Sequence, residues 1–339
     1  MQNNTLFEKL GKKGTDFLGS KYPIIGGAMA SISTHELVSA LANAGVMPFL
    51  AAGFGNPEQL KDEIQKTKQL TQNPFGVNVI VIHPQLNELI EVCIAEKISH
   101  VTLAAGAPPA DIVTKLKDAG IKILAFAPTL MLARRLIKMG VDALIVEGTE
   151  SGGHIGSVAT TVLMQEIIPN VDVPVFVAGG IGTGRMIATA LLFGAAGCQM
   201  GTTFCALAET PVHENWKKAY YRAAARNAVQ TVQMSDTFPI IPVRSLQNKA
   251  HQDFRNFQRQ VIADYEAGNI ELEDARLKIE GFWTGGLRRA IMDGDTEIGS
   301  VMAGQIVGLV DGEKTADQCV SELVTEAEKT LQEMKEKLE

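Results

Sequence analysis

Cysteine is scarce in this chain of 339 residues, and the four that occur, Cys93, Cys198, Cys205 and Cys319, form no CxxC pair. None of them stands at metal-ligand spacing from a histidine, so the sequence predicts neither a zinc site nor a disulfide framework. Free cysteines are typical of a reducing compartment, and we expect a cytoplasmic protein. The opening "MQNNTLFEKLGKKG" is polar, and we expect no signal peptide.

Long hydrophobic runs and basic stretches are also missing. The most apolar stretch, residues 186–201, is interrupted by glycines and Gln199 and is too short to cross a bilayer. The net charge is −7, and no basic stripe is present to neutralise phosphates, which argues against nucleic-acid binding. A local basic patch for an acidic carrier protein remains compatible with this charge. We therefore expect a small-molecule or carrier-linked substrate and no membrane span.

One repeating pattern extends over the first two thirds of the chain: short apolar runs rich in β-branched residues alternate with helix-like segments. We count eight such runs, which begin near residues 22, 47, 75, 100, 122, 143, 173 and 197. Runs that are apolar on both faces are typical of parallel strands covered by helices, so eight βα units predict a closed (β/α)8 barrel. An open doubly wound sheet is the alternative. Left-handed helix caps are expected at Gly45, Gly120, Gly140 and Gly194.

The repeating pattern ends after the eighth run, where the chain becomes more charged. The sequence predicts a TIM-like barrel over residues 1–205, with a smaller, mainly helical cap or substrate domain inserted after strand eight over residues 206–298. Residues 299–339 are expected to return to the barrel and to end on an amphipathic helix. The apolar stripe of that helix runs from Val320 to Leu338 and is expected to pack against the barrel, with a partner helix as the alternative.

In such barrels the active site lies at the C-terminal ends of the strands. The sixth run leads into "EGTESGGHIG", where Glu147, Glu150 and His154 stand among four glycines. An imidazole exchanges a proton near neutral pH, so His154 is the candidate catalytic residue, and a structural histidine is the alternative. The two carboxylates are expected to hydrogen-bond a ligand or a backbone N–H, because the other ligands of a metal site are missing.

The seventh and eighth runs end in the glycine turns "AGGIGTG" and "MGTT". Such turns present backbone N–H groups to anions at the start of a helix, so the pair predicts a phosphate site, with ordinary tight turns as the alternative. Glycines at positions 180, 182 and 184 miss the G-x-G-x-x-G spacing, and no dinucleotide-binding fold is expected. Cys198 and Cys205 flank the second turn and are expected to pack, since neither has an identifiable basic partner. A barrel with these turns would also suit a sugar-phosphate isomerase or lyase.

Six ordered motifs resemble the nitronate monooxygenase-like flavin family: "PIIGGAM", "PFGVNV", "EGTESGGHIG", "VFVAGGIGTG", "QMGTTF" and "GSVMAGQIVGLV". This family includes 2-nitropropane dioxygenase-type enzymes, certain NADH:quinone reductases and enoyl-acyl-carrier-protein reductase II. The resemblance spans about residues 22–310. It implies an FMN-binding TIM-like barrel with a smaller, mainly helical domain.

The resemblance also implies a role for individual positions. His154 would lie near the reactive flavin nitrogen as the catalytic residue, and no metal ligand is implied. The FMN would be held by Gly27, Ala28 and Met29 along the ring, Asn78 beside it, Glu147, Ser151 and Gly153 on the sixth loop, and Gly179, Gly180, Gly201 and Thr202 around the phosphate.

Two of the motifs, "ESGGHIG" and "GSVMAGQIVGLV", look closest to enoyl reductase II. The implied reaction passes a hydride from NADH or NADPH to FMN and then to the β-carbon of a 2-enoyl-acyl-carrier-protein thioester, while a proton is added at the α-carbon. That reaction belongs to fatty-acid elongation, and a homodimer is the expected assembly.

The sequence departs from the family pattern at two places. The glutamine that often precedes the first Gly-Met turn is Gly26 here. Residues 234–248 also fit the nitronate monooxygenase and NADH:quinone reductase branches, and we interpret residues 238–248 as a proline-marked connector. Oxidation of alkyl nitronates with O2 and quinone reduction are therefore the alternative functions, and a flavin-binding protein without activity is a third.

Overall fold

The eight apolar runs form a closed barrel of eight parallel strands in a computed structural model that describes residues 5–53, 55–235, 238 and 240–339. The strands of the protein are β1 (Ile24–Gly26), β2 (Met47–Ala51), β3 (Gly76–Ile80), β4 (His100–Ala104), β5 (Lys122–Phe126), β6 (Ala143–Glu147), β7 (Gly153–His154), β8 (Val175–Ala178), β9 (Gly197–Met200), β10 (Ala228–Gln230) and β11 (Val243–Leu246). The barrel order is β1-β2-β3-β4-β5-β6-β8-β9, and β9 pairs with β1 to close it. The predicted barrel is confirmed, and the open-sheet alternative is wrong.

Helices follow the strands, as the alternating pattern predicted. They are α1 (Leu6–Leu18), α2 (His35–Asn43), α3 (Pro57–Leu70), α4 (Leu86–Ala95), α5 (Ala110–Asp118), α6 (Leu130–Lys138), α7 (Thr160–Ile167), α8 (Gly184–Leu192), α9 (Glu214–Arg222), α10 (Lys249–Glu266), α11 (Leu272–Arg288) and α12 (Ala316–Leu338). Gly45, Gly120, Gly140 and Gly194 follow four of these helices with φ between +74° and +101°, which confirms the predicted left-handed caps.

The barrel has an inner and an outer apolar layer, because successive side chains of a strand point to opposite faces. Phe49, Ile145 and Phe176 belong to the inner layer, together with Leu18 of α1. The backbone carbonyl of Phe17 accepts hydrogen bonds from the side chains of His100 and Lys122 at the start of β4 and β5. The end of α1 therefore fills the N-terminal end of the barrel, which leaves the C-terminal end for a ligand.

A second apolar cluster lies outside the barrel, where α10 packs against α11. Its largest side chain, Trp283, contacts Phe254 at a ring-centroid distance of 4.4 Å. Other apolar side chains of residues 206–298, including Trp216 and Tyr220, pack with the outer layer of the barrel instead. The cap, as we call residues 206–298, therefore has a core of its own but also shares the core of the barrel.

The cap is not purely helical, and the expected connector is wrong over residues 243–246. These residues form β11, the central strand of an antiparallel sheet ordered β10-β11-β7. Arg244 interrupts the apolar pattern of the strand, which is why the sequence did not indicate it. The rest of the expected connector includes position 239, which lies outside the described residues.

The predicted C-terminal helix is α12, which packs against α8, α1 and α2. Its stripe is buried as far as Leu331, but Met334 and Leu338 are 45% and 88% exposed, so the prediction is wrong for these two residues. The physical reason is length, because α12 has 23 residues and α8 has only 9. None of the described helices is long and apolar enough to cross a membrane.

Candidate functional site

The C-terminal mouth of the barrel is lined mainly by small and apolar side chains. Strand alternation places Asn78 and Glu147 on its inward face, and both are partly exposed there. The other partly exposed residues on this face are Ala51, Ile80, Ala104, Phe126 and Gln199. The mouth therefore offers one amide and one carboxyl from the predicted site within a largely apolar rim.

Glu147 has an unusual electrostatic environment for a carboxyl at the end of a strand. Desolvation by the surrounding protein raises its pKa to about 7, although the Ser151 hydroxyl and the charge of His154 both act to lower it. Ser151 Oγ is close enough to Glu147 for this effect, yet it is buried without a well-formed hydrogen bond to any described residue. Near neutral pH the Glu147 carboxyl can thus either donate or accept a hydrogen bond.

Glu150 caps the helix that follows the sixth loop. Its carboxylate accepts hydrogen bonds from Thr160 N at 3.0 Å and from Thr160 Oγ1 at 2.9 Å. A negative charge at the N-terminus of α7 is favourable, because the helix dipole is positive there. Of the two uses that we expected for Glu150, the structure therefore shows the hydrogen bond to a backbone N–H.

The segment after the cap, which contains Gly304 and Gln305, is hydrogen-bonded to the loops that follow β6 and β9. Gln305 N donates to Glu150 O at 2.9 Å, and Gly304 N donates to Thr202 Oγ1 at 2.9 Å. A Cβ atom on Gly152 would lie 2.5 Å from Gly304 N and 2.6 Å from Ala303 C, so only a glycine fits under this segment. The motif "GSVMAGQIVGLV" pointed to the family, but nothing in its spacing showed that it holds the site together.

The glycine turn after β8 has the strained geometry that only glycine adopts easily. Gly179 and Gly180 have φ of +84° and +74°. The N-terminus of the following α8 is already occupied, because Glu326 Oε2 accepts a hydrogen bond from Gly184 N at 2.7 Å. Our expectation that this helix N-terminus is free for an anion is wrong for Gly184. An anion would therefore meet the turn residues rather than the end of α8.

The turn after β1 lies beside the loop after β9. Gly27 N donates to Met200 O at 2.9 Å, and a Cβ atom on Gly201 would lie 3.6 Å from Met29 Sδ. Ser33 Oγ accepts a hydrogen bond from Met29 N at 2.9 Å and donates to Gly27 O at 3.3 Å. The structure thus brings the residues predicted for the flavin ring next to those predicted for the phosphate.

The two cysteines that flank the β9 loop are buried thiols. Burial raises the pKa of Cys198 and of Cys205 to about 12, so neither is a thiolate near neutral pH. The Cys205 thiol lies 3.1 Å from Met29 Sδ. These environments match the packing role that we expected and give no support to a nucleophile.

His154 lies in the edge strand of the sheet β10-β11-β7. It belongs to β7, where it pairs with Val243 of β11, and its side chain is 45% exposed. Its Nε2 atom lies 3.0 Å from Glu280 Oε2 of α11. The structure therefore places the candidate catalytic residue between the sixth loop and the cap, and gives it a carboxylate partner that the sequence did not indicate.

Arg244 is a buried cation that ties the sixth loop to the cap sheet. Its guanidinium donates to Thr149 O from Nε at 3.1 Å and from Nη2 at 2.9 Å, and to Ala228 O from Nη1 at 2.7 Å. Burial lowers the pKa of Arg244, while the charge of Glu150 acts in the opposite direction. The only sequence signal for this residue was an arginine in a stretch that otherwise looked like a connector.

The residues present fit a bound flavin phosphate and ring. The left-handed turn at Gly179 and Gly180 exposes bare backbone, and the Thr202 hydroxyl keeps its own hydrogen because it accepts from Gly304 N. The buried Ser151 Oγ supplies a further unpaired polar atom on the same loop as Glu147. Among the described residues, no group of three or more histidine, cysteine, aspartate or glutamate side chains is placed to hold a metal ion.

The sequence profile of the nitronate monooxygenase family matches residues 12–326. The chain belongs to this family. The family and its structural neighbours are flavin-dependent oxidoreductases, so the protein is an enzyme of that class. The resemblance inferred from the six motifs is confirmed.

Solved structures of the family cover nearly the whole chain. FabK from Thermotoga maritima shares 34% identity with a TM-score of 0.85, over 98% of this chain and 99% of FabK. The nitroalkane oxidase from Streptomyces ansochromogenes shares 26% identity with a TM-score of 0.78, over 95% of this chain and 99% of the oxidase.

A relative from Rhodococcus jostii is 30% identical over 342 residues, which cover 94% of this chain and 96% of the relative. It is named (3aS,4S,5R,7aS)-5-hydroxy-7a-methyl-1-oxo-octahydro-1H-indene-4-carboxyl-CoA dehydrogenase. Relatives of this chain thus have names that refer to more than one kind of redox reaction.

Proposed function

We propose that this protein is an FMN-dependent reductase that uses NADH or NADPH to reduce 2-enoyl thioesters carried on acyl carrier protein. The main support is its similarity over almost the whole chain to FabK, enoyl-ACP reductase II. The Rhodococcus relative adds weight, because its named substrate is a coenzyme A derivative and therefore also an acyl thioester.

The FMN would be held by the residues that the motifs indicated, and the observed geometry is compatible with those roles. When bound there, FMN would supply the hydride-transfer chemistry between the nicotinamide and the β-carbon of the enoyl group. The proposed FMN contacts are Gly179, Gly180, Gly201 and Thr202 at the phosphate, Gly27, Ala28 and Met29 at the ring, and Asn78, Glu147, Ser151 and Gly153 at the remaining polar edge.

The chain's own part in the reaction is to hold the acyl group and manage protons. The apolar rim that includes Ile80 and Phe126 suits an acyl chain better than a small polar nitronate. The Glu147 carboxyl, with its pKa raised to about 7 by burial, can hold a proton at the mouth near neutral pH. His154 would act as the acid–base group beside it, since its charge influences the Glu147 pKa.

Oxidation of alkyl nitronates with O2 is the second candidate. The family profile and the Streptomyces nitroalkane oxidase favour it. It differs from the first candidate in needing oxygen and no nicotinamide.

One substrate panel on a single FMN-loaded preparation tests the proposal. NADH or NADPH oxidation is followed without oxygen, in the presence of crotonyl-CoA, enoyl-acyl carrier protein or benzoquinone. Oxygen uptake with propionate-3-nitronate is measured separately. We expect the enoyl thioesters to accelerate nicotinamide oxidation at least about tenfold. No acceleration by either thioester contradicts the proposal, and oxygen uptake with nitronate alone would support the second candidate.

Thr202→Val is expected to weaken FMN binding by about 10- to 100-fold in Kd. The valine removes both the acceptor for Gly304 N and a donor to the phosphate, and a hydrogen bond to a charged group contributes roughly 1.5–3 kcal/mol. Thr202→Ser keeps the hydroxyl and serves as the matched control. Quenching of flavin fluorescence gives both Kd values, and equal values for the two variants would exclude Thr202 from the phosphate site.

The cellular location, the assembly and the domain boundaries stay predictions. We propose a cytoplasmic enzyme, because its four cysteines are all free and buried. The homodimer and the boundaries 1–205, 206–298 and 299–339 belong to the same proposal. Size-exclusion chromatography with light scattering would measure the assembly.

A further inference from the structure

We propose that Glu280 of the cap is the positioning residue for His154, by accepting a hydrogen bond from its Nε2–H. This assignment rests on the proposed role of His154 as the acid–base group. It goes beyond that role, because it makes a residue of the cap part of the proton-handling machinery of the barrel.

The backbone of His154 is fixed by the cap sheet. β7 pairs with β11, with His154 opposite Val243, and Ile155 N donates to Pro242 O at 2.9 Å. The pairing with β11 and the hydrogen bond from the next residue hold the Cα of His154, but they leave the imidazole to rotate about its side-chain torsions. The backbone alone therefore does not orient the ring.

Glu280 supplies the missing restraint from a different element. It lies 126 positions further along the chain, on α11, with its Oε2 atom 3.0 Å from His154 Nε2. Ile279 and Trp283 of the same helix are buried in the cap core, so the carboxylate extends from a packed helix rather than from a mobile loop. The cap thus holds the acceptor in place for the imidazole.

The chemical consequence concerns the tautomer of the histidine. A carboxylate can only accept, so the ring must carry its proton on Nε2, which leaves Nδ1 as the free acceptor. The charge of His154 also influences Glu147 at the barrel mouth. His154 therefore lies between two carboxyl groups, with Glu280 on the cap side and Glu147 on the barrel side.

The pair has no strong role in stability. The His154 and Glu280 side chains are 45% and 32% exposed, and exposed ion pairs contribute little to folding. The contribution of this pair is the orientation of the His154 ring. A stability measurement does not detect that orientation, whereas a measurement of the histidine tautomer does.

Nitrogen NMR on protein labelled with 15N-histidine reads the tautomer directly. Spectra are recorded at pH 8.5, where imidazoles are ordinarily neutral, and His154 is assigned by its absence from His154→Gln. We expect the Nε2–H tautomer in the parent and a mixture of tautomers in Glu280→Ala, with Glu273→Ala of the same helix unchanged. An identical His154 tautomer in the parent and in Glu280→Ala overturns the proposal.

A double-mutant cycle on the FMN-loaded enzyme tests the link to catalysis. A positioned acid–base group contributes about 10²- to 10⁴-fold to a rate, so we expect Glu280→Ala to lower kcat about tenfold, with FMN affinity and Tm kept. The same change in a His154→Ala background should have no further effect. Equal losses in both backgrounds, or no loss in either, refute the positioning role.

The acceptor for these assays is whichever compound turns over fastest in the substrate panel. A wrong acceptor class therefore contradicts the proposed function and leaves the comparison of Glu280 variants valid. If no acceptor turns over, the NMR result decides whether Glu280 orients His154.

Discussion

Gly152→Ala is expected to destabilise the protein by about 3 kcal/mol or more and to release its flavin. The added Cβ would lie 2.5 Å from Gly304 N and 2.6 Å from Ala303 C, and both of these are backbone atoms that no rotamer change can move. The segment that contains Gly304 would have to leave the sixth loop. Its departure would break the hydrogen bonds from Gln305 N to Glu150 O and from Gly304 N to Thr202 Oγ1.

The same loop offers a matched control for this substitution. A Cβ atom on Gly156 would have Glu147 O, at 3.9 Å, as its nearest neighbour, and its φ is outside the left-handed region. Gly156→Ala should therefore change the free energy of unfolding by no more than about 0.5 kcal/mol. Thermal unfolding and the flavin retained after gel filtration measure both effects. Similar results for the two alanines would show that the returning segment does not clamp the site.

Glu147→Gln is expected to stabilise the flavin-free protein above pH 7 by roughly 3 kcal/mol and to have little effect near pH 5. The pKa of Glu147 is raised from 4.5 to about 7, mainly by desolvation, so the folded state holds this proton more tightly than the unfolded state. Folding stability therefore falls as pH rises from 4.5 through 7, and the full penalty is present above 7. The glutamine cannot ionise and avoids this penalty.

The measurement is the difference in Tm between the variant and the parent at pH 5 and pH 8.5. A gain of roughly 5 °C at the higher pH corresponds to this free energy in a chain of this size. Glu88→Gln, at an exposed position on α4, is the control and should show no pH-dependent gain. A difference in Tm for Glu147→Gln that is the same at both pH values would mean that the carboxyl is not desolvated.

The barrel was predictable because its signals are local. Each strand is a short apolar run that must be buried on both faces, and several helices end at a glycine with a left-handed φ, as at Gly120 and Gly140. The glycine turns that end the strands were predictable for the same reason. These features repeat in each βα unit, so an error in predicting one strand or helix is corrected by the pattern of the other units.

The partners within the candidate site were not predictable in this way. Arg244 looked like a break in an apolar pattern, although its buried guanidinium donates to Thr149 O and Ala228 O. The capping of α8 by Glu326 joins positions 142 residues apart, and the sequence around Gly184 indicated a free helix end. Polar residues of this kind carry no periodicity, so only their position in space shows what they bind.

By itself, the sequence determined the barrel and the family, and it predicted the end of the barrel at which the site would lie. Only the tertiary structure decided that His154 belongs to a sheet shared with the cap, that Glu280 holds its Nε2 atom, and that Gly152 lies under Gly304. The reason is physical. Burial and backbone conformation impose a periodic pattern on residues that are neighbours in the sequence. The contacts named above join single residues more than 80 positions apart, so no such pattern indicates them.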